Sequence, residues 1–419
     1  MNAYSNPQLP QEEINVSEKR PLADVLIMIA GLLAVIAVIG LLLMVFAQTL
    51  ASWLPKRCDS RALQTDAPAP SLVVLMPAHD EAAIIETMVM QALQVLPAGA
   101  RLLVVADNCK DDTAARARSA GAEVIERTNL ELRGKGYALA HGVDHMRAAP
   151  PDVVVVFDAD CVAAPGSLAA IAIEAHRLQR PVQAMYNMLA PDGAGLMQRM
   201  AAFAWDFRTR LRAEGYRRLG LPCQLMGSGM AFPWPLLQQV NLATGHIVED
   251  LKLGLDCAQV SKPPQFLPAA QVSSYFPANE QGSQSQRKRW EHGHLSMVAT
   301  QVPGLLWRAL TRRNIGLLAL TLDICVPPLA LLVMLLVMQT VTAAAMVWWG
   351  LAWTVVATLS VAALVLLILT VVAGWWKAGR QWISLGELMS VPWYVLRKIP
   401  VYLGFLTRRQ MSWIRTRRD

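Results

Sequence analysis

The chain has 419 residues, 54% of them hydrophobic and 16% charged, with a net charge of +7. Its mean hydropathy of +0.34 is too high for a purely soluble enzyme. The apolar excess is concentrated in residues 22–47 and 315–376, so the chain reads as an integral membrane protein built around a soluble core domain. The six cysteines form no C-x-x-C pair, which argues against a zinc site or disulfide framework and fits a reduced, cytosolic compartment.

Residues 1–20 form a polar tail, and residues 21–50 follow as a transmembrane helix. The apolar run 22–47 carries one charge, Asp24, and exceeds the roughly 20 residues needed to cross a bilayer. It is too long for a signal-peptide core and no small-residue cleavage site follows, so it reads as a retained span. Residues 51–70 are a linker that ends in the Pro/Ala stretch 67–70.

Short Val/Leu/Ile runs at 71–76, 101–106, 122–125 and 152–157 predict buried strands, and 81–96, 112–120 and 135–149 carry helical patterning. This alternation predicts a parallel sheet with helices on both faces, within a domain spanning 71–300. In such sheets ligands bind beyond the carboxyl ends of the strands. The polar clusters fall there: His79-Asp80-Glu81, Asp107-Asn108 and Asp158-x-Asp160.

Asp158 and Asp160, one residue apart at a strand end, suit one hard divalent cation, Mg2+ or Mn2+, held between protein and diphosphate. A solvated turn is the plainer reading of an isolated D-x-D. Asp80 and Asp107 suit a nucleobase or ribose, with helix capping the alternative for Asp80 and Asp111. Arg133-Gly134-Lys135-Gly136 puts cations on a turn before a helix, suited to phosphate or simply solvated. Glu249 and Asp250 open a helical stretch at 251–257, where a carboxylate can act as general base or as a cap. Gln286-Arg287-Lys288-Arg289-Trp290 joins arginines for a leaving diphosphate to an aromatic face for a sugar, or forms a basic juxtamembrane helix.

Residues 305–376 contain two further spans, with a turn expected near 339–345 and a kink at Pro327-Pro328. Asp323 is the one charge in the apolar stretch 315–374 and reads either as a helix-packing hydrogen bond or as the wall of a polar path. Clusters Lys56/Arg57/Arg61, Arg308/Arg312/Arg313 and Lys377/Arg380 place the domain on the cytosolic side and the amino terminus outside. Residues 377–419 form a basic segment, including Arg408, Arg409 and Arg415, that fits anionic headgroups better than nucleic acid. Within it, 391–406, with Trp393, Tyr394 and Tyr402 and followed by Trp413, reads as an interfacial amphipathic helix, a re-entrant or fourth spanning helix being the alternative.

Taken together, P-A-H-D-E (77–81), A-D-N-C-K-D-D-T-A (106–114), R-G-K-G-Y-A-L (133–139), D-A-D-C (158–161), G-S-G (227–229), V-E-D (248–250) and Q-R-K-R-W (286–290) resemble family 2 glycosyltransferases of the α/β GT-A fold. The branch resembled is that of cellulose, chitin, hyaluronan and poly-N-acetylglucosamine synthases. The resemblance implies a nucleotide-sugar donor contacted by Pro77, Asp80, Glu81, Asp107, Asn108, Lys135, Asp158, Arg287 and Arg289. It implies Asp250 as base beside Glu249, and Gln286, Trp290, Gly227 and Ser228 facing the acceptor. It further implies inversion at the anomeric carbon, a usual preference for UDP, and a growing β-linked polysaccharide as product at the cell's inner membrane, where export subunits can join it. Two departures are visible: V-E-D where T-E-D is usual, and three clear spans where cellulose synthases have more. Single-sugar transfer to a lipid or lipid-linked glycan is the alternative activity. A catalytically silent export subunit is a third reading, against which the intact Asp158/Asp160/Asp250 set stands.

Overall fold

The structure, a computed structural model, describes residues 20–55, 69–277, 280–351 and 353–407. All four expected strands form: β1 (Leu72–Ala78), β2 (Arg101–Asp107), β3 (Glu123–Arg127) and β4 (Val153–Val156). β1 pairs in parallel with β2 and β4, and β2 with β3. Alternation divides their side chains between two cores. Leu72, Val74 and Met76 face the helices Ile85–Val95, Thr113–Ser119 and Ser167–Leu178, while Val73 and Leu75 face Lys135–Met146 and Glu249–Gln259.

The sheet then departs from the parallel expectation. With β5 (Val162–Ala163), β6 (Val182–Leu189), β7 (Met230–Pro233) and β8 (Gln265–Tyr275), its order is β3-β2-β1-β4-β7-β6-β8-β5. β7 runs antiparallel to both β4 and β6. The cause is local. Gly227 and Gly229 adopt φ of +95° and +67°, and the Gly229 amide donates to the carbonyl of Val156 at the end of β4. A strand that starts beside the carboxyl end of its neighbour must run the other way, and only glycine turns the chain so tightly without cost.

Among the described residues, three helices are long and apolar enough to cross a membrane: Val25–Ala51, Leu329–Trp348 and Thr354–Gly379. The turn between the last two lies after Trp348, not at 339–345, whose run of three alanines continues the helix. Gly350, at φ +81°, stands in the turn. Pro327-Pro328 does not kink a span; it separates a short helix, Ile315–Cys325, from Leu329–Trp348, because proline has no N–H to extend a helix and restricts the residue before it. The expected interfacial helix at 391–406 is two pieces, Val391–Leu396 and Ile399–Thr407, broken just before Pro400. Lys56, Arg57, Arg61, Arg408, Arg409, Arg415 and Trp413 lie outside the described residues.

The soluble domain sits directly on the first apolar helix. Arg212 donates through Nε to Gln48 Oε1 (2.7 Å) and through Nη2 to Asp323 Oδ1 (2.6 Å), and Gln48 Nε2 donates to the same Asp323 oxygen (2.7 Å). One turn on, Gly215 lies so close that a Cβ there would stand 1.9 Å from the Gln48 carbonyl oxygen. Gly215→Ala therefore has to push backbone apart, an overpacking cost on the order of 1–3 kcal/mol. The expected outcome is a lowered thermal midpoint for the detergent-solubilised protein. Gly40→Ala, whose Cβ meets nothing within 4 Å, should leave the midpoint in place.

Candidate active site

The carboxyl ends of β1, β2 and β4 open on a cavity of about 680 Å3. At β1, Pro77, Asp80 and Glu81 line it. Asp80 is held at φ +53°, its Oδ1 accepting from the Lys110 amide at 2.7 Å. The next helix starts only at Ile85, so Asp80 caps no helix. Asp111 does serve locally: it accepts from the amides of Thr113 and Ala82, tying the loops after β1 and β2 together. At β2, Asp107 pairs with Arg127 Nη1 at 2.6 Å, and Asn108 Oδ1 accepts from the Asn129 amide at 2.7 Å.

At β4, the carboxylates of Asp158 and Asp160 and the Cys161 thiol lie within 4.8 Å of one another. Burial pushes the Cys161 thiol far up, so it stays protonated and leaves the two aspartates as the hard donors. Ser274 Oγ donates to Asp160 Oδ2 at 2.9 Å and fixes its orientation. Two oxygen donors at this spacing suit one divalent cation with further positions left for phosphate and water. Lys135 reaches the same place from the start of its helix. Its ammonium pairs with Asp158, donates to the Gly227 carbonyl at 2.8 Å and stands 4.0 Å from Glu249 Oε1. Burial alone would lower its pKa, but Asp158 and Glu249 more than offset that and hold it charged.

Glu249 and Asp250 begin the helix Glu249–Gln259, with Val248 at the cap position. Asp250 Oδ1 accepts from the Leu251 amide at 2.8 Å, so the carboxylate sits at the helix's positive end while facing the cavity. This helix is wedged between the sheet and the helices Glu280–Thr311 and Ile315–Cys325 through Val248, Leu251 and Leu255. Burial raises both carboxyl groups. Glu249 is pushed up to about 7, with the charge of Asp250 adding to burial and Lys135 opposing it.

The Q-R-K-R-W segment lies on Glu280–Thr311 and brings Gln286, Arg289 and Trp290 to the same cavity. Trp290 packs against Trp205, ring centroids 5.0 Å apart and planes tilted by 40°. Two expected residues are placed differently. Ser228 is fully buried and accepts from the Asp158 amide at 3.0 Å, so it braces the D-x-D loop and does not line the cavity, whereas Gly227 does. Arg287 faces an adjoining groove of about 110 Å3.

At the inner end of the cavity Asp323 stands in the wall, as one of its two readings had it, but sequence reasoning missed its neighbours Trp205, Arg208, Thr209, Arg212 and Tyr216. Arg208 and Arg212 are four residues apart, one face of a helix. Two cations on the same face as the buried Thr209 and Tyr216 were the available signal, diluted by Arg210, Arg217 and Arg218 around them.

A mixed sheet with acidic strand ends, a D-x-D loop and a second carboxylate pair facing it defines a nucleotide-sugar transferase of the GT-A type. The sequence profile described as "Glycosyltransferase like family 2" matches residues 68–293, and the chain belongs to that family of glycosyltransferases. No curated protein matches the chain in sequence. In structure it is similar to the mannosyltransferase PcManGT from Pyrobaculum calidifontis, solved in complex with GDP-Man and Mn2+. That match has 17% identity and a TM-score of 0.52 over 90% of this chain and all of the other, and it shows the fold. Glucosyl-3-phosphoglycerate synthase from Mycobacterium tuberculosis, in complex with Mn2+, UDP and glucosyl-3-phosphoglycerate, matches at 22% identity and a TM-score of 0.37 over 54% of this chain and 80% of its own.

The raised carboxyl groups set a pH dependence. A reaction that needs Glu249 and Asp250 ionised declines as pH falls through their raised pKa values, so the acid limb of the transfer profile should lie well above the usual carboxylate range. Glu249→Gln removes one of two like charges from the pocket and should move that limb to lower pH, read from kcat against pH. A limb left unmoved would mean that the two groups titrate independently.

Proposed function

We propose that this protein transfers a sugar from a nucleotide-sugar to an acceptor hydroxyl, with inversion, at the cytosolic face of the inner membrane. The observation that carries this reading is convergence: Asp158, Asp160, Lys135, Asp250, Arg289 and Trp290 come from four separate segments and line one cavity. Asp80, Glu81, Asp107 and Asn108 would hold the nucleoside. Asp158 and Asp160 would hold Mg2+ or Mn2+, which when bound neutralises diphosphate charge. Lys135 and Arg289 add fixed positive charge for the departing diphosphate. Asp250 takes the proton of the acceptor hydroxyl as its oxygen bonds to the anomeric carbon and the bond from that carbon to the diphosphate breaks. Attack from the side opposite the leaving group gives a β-linked product from an α-linked donor.

The domain layout follows the same reading: membrane helix, linker, cytosolic transferase domain, two further spans and an interfacial basic segment. Arg308, Arg312, Arg313, Lys377 and Arg380 flank the later spans on the cytosolic side. The paired rings of Trp205 and Trp290 support a glycan acceptor and hence a growing β-linked polysaccharide, with export subunits as partners. A second reading, one sugar added to a lipid, is favoured by the groove that continues from this wall toward the membrane helices.

Asp160→Asn should lower transfer by at least about a hundredfold, the scale of losing a key electrostatic stabiliser, with membrane insertion intact; full activity in EDTA would remove the metal-dependent reading. Asp250→Asn should abolish transfer while leaving nucleotide-sugar binding in place, because an amide cannot accept the proton. Product size separates the two acceptor readings, a polymer ladder against one discrete adduct. Trp290→Ala should shorten polymer while donor hydrolysis persists, whereas Arg289→Ala should depress both.

A further inference from the structure

The cavity that holds the carboxylates does not end at the Trp205–Trp290 wall. The adjoining groove shares Trp205, Arg208, Arg212 and Trp290 with it and runs on to Val45, Leu329, Leu332 and Tyr394. Val45, Leu329 and Leu332 belong to helices apolar enough to cross a bilayer. Arg208 and Arg212 therefore stand where the carboxylate cavity borders a groove lined by these apolar helices.

The two arginines differ in kind. Arg212 is neutralised by Asp323. Arg208 makes no ion pair among the described residues; its one side-chain partner is His294 Nδ1, at 3.0 Å from Nη2. That ring is neutral, because burial and the charges of Arg208 and Arg212 hold its pKa well below the usual value. Asp323, Asp250 and Glu291 act on Arg208 only at longer range, and Glu291 is already paired with Lys398. A guanidinium in such surroundings is normally matched by a carboxylate or phosphate in direct contact. Here the matching anion has room to enter from the cavity.

Resting on the transfer reading in its lipid-acceptor form, we propose that the acceptor is an anionic membrane lipid carrying a free hydroxyl. Arg208 binds its phosphate, the groove takes an acyl chain, and the hydroxyl faces Asp250. The hydroxyl oxygen forms the new bond to the anomeric carbon, its proton passes to Asp250, and the nucleoside diphosphate leaves. Arg208 is thus a specificity-determining residue, and His294 positions it.

The test uses the full-length protein in phosphatidylcholine nanodiscs, with labelled UDP- and GDP-sugars, and either phosphatidylglycerol (anion and hydroxyl) or diacylglycerol (hydroxyl without anion). Label should enter the lipid phase at least about tenfold faster with phosphatidylglycerol, the scale of a hydrogen bond to a charged group. Arg208→Gln should raise KM for phosphatidylglycerol by about tenfold, more than it lowers kcat, and Arg208→Lys should recover most of the loss. Equal use of both lipids overturns the proposal. So does an Arg208→Gln variant that merely shifts the acid limb of the pH profile alike for both, since Arg208 would then serve only to tune Asp250. Donor hydrolysis or polymer formation without glycosylated phosphatidylglycerol sinks the acceptor assignment and spares the transfer reading. Neither hydrolysis nor transfer with any donor sinks both.

Discussion

Asp158, Asp160, Glu249 and Asp250 repel one another across a single cavity, and the ammonium of Lys135 offsets part of that repulsion by contacting Asp158 and standing near Glu249. The charge of Lys135 opposes the effect of burial on Glu249 and Asp250 and keeps their pKa values from rising further. The rest of the domain is arranged to keep this contact. Lys135 starts a helix whose Gly136 lies so close to the Thr244 and Leu242 carbonyls that a Cβ would stand 2.5 and 2.6 Å from them. The loop that precedes Glu249 is thereby held against the loop that carries Lys135. Gly227, whose carbonyl accepts from the ammonium, belongs to the turn that launches β7. The reversed strand and the charge balance thus come from one short segment.

What was legible in the sequence followed local chemistry. The Val-rich run before Asp158 could only be a buried strand, and the acidic residues at successive strand ends had to meet on one edge of a parallel sheet. Their meeting point was therefore readable before any coordinate. The reversal at β7 was not, because it depends on where Gly227–Gly229 lies against β4, a contact 70 residues distant in the Ser228–Asp158 hydrogen bond. For the same reason the resemblance carried by G-S-G put Ser228 at the acceptor, while the buried amide it satisfies was not visible.

The membrane part divides along similar lines. Length and apolarity gave three spans, since those depend only on composition. Pro327-Pro328 was visible as a break, but not as one that separates two helices instead of bending one; the two helices are Ile315–Cys325 and Leu329–Trp348. Arg208 and Arg212 were hidden among Arg210, Arg217 and Arg218 of the same stretch, which differ from them only in tertiary placement.

The seat between Gln48 and the domain also fixes an order of assembly. Gln48 meets Arg212 and Asp323, 164 and 275 residues further along the chain. During synthesis the first helix is complete long before either partner exists, whereas the strands β1 to β4 find all their mutual partners within residues 72–156. Loop closure over such distances carries an entropic cost. The inner end of the cavity, lined by Arg212 and Asp323, is therefore complete only once the latest of these segments has been made.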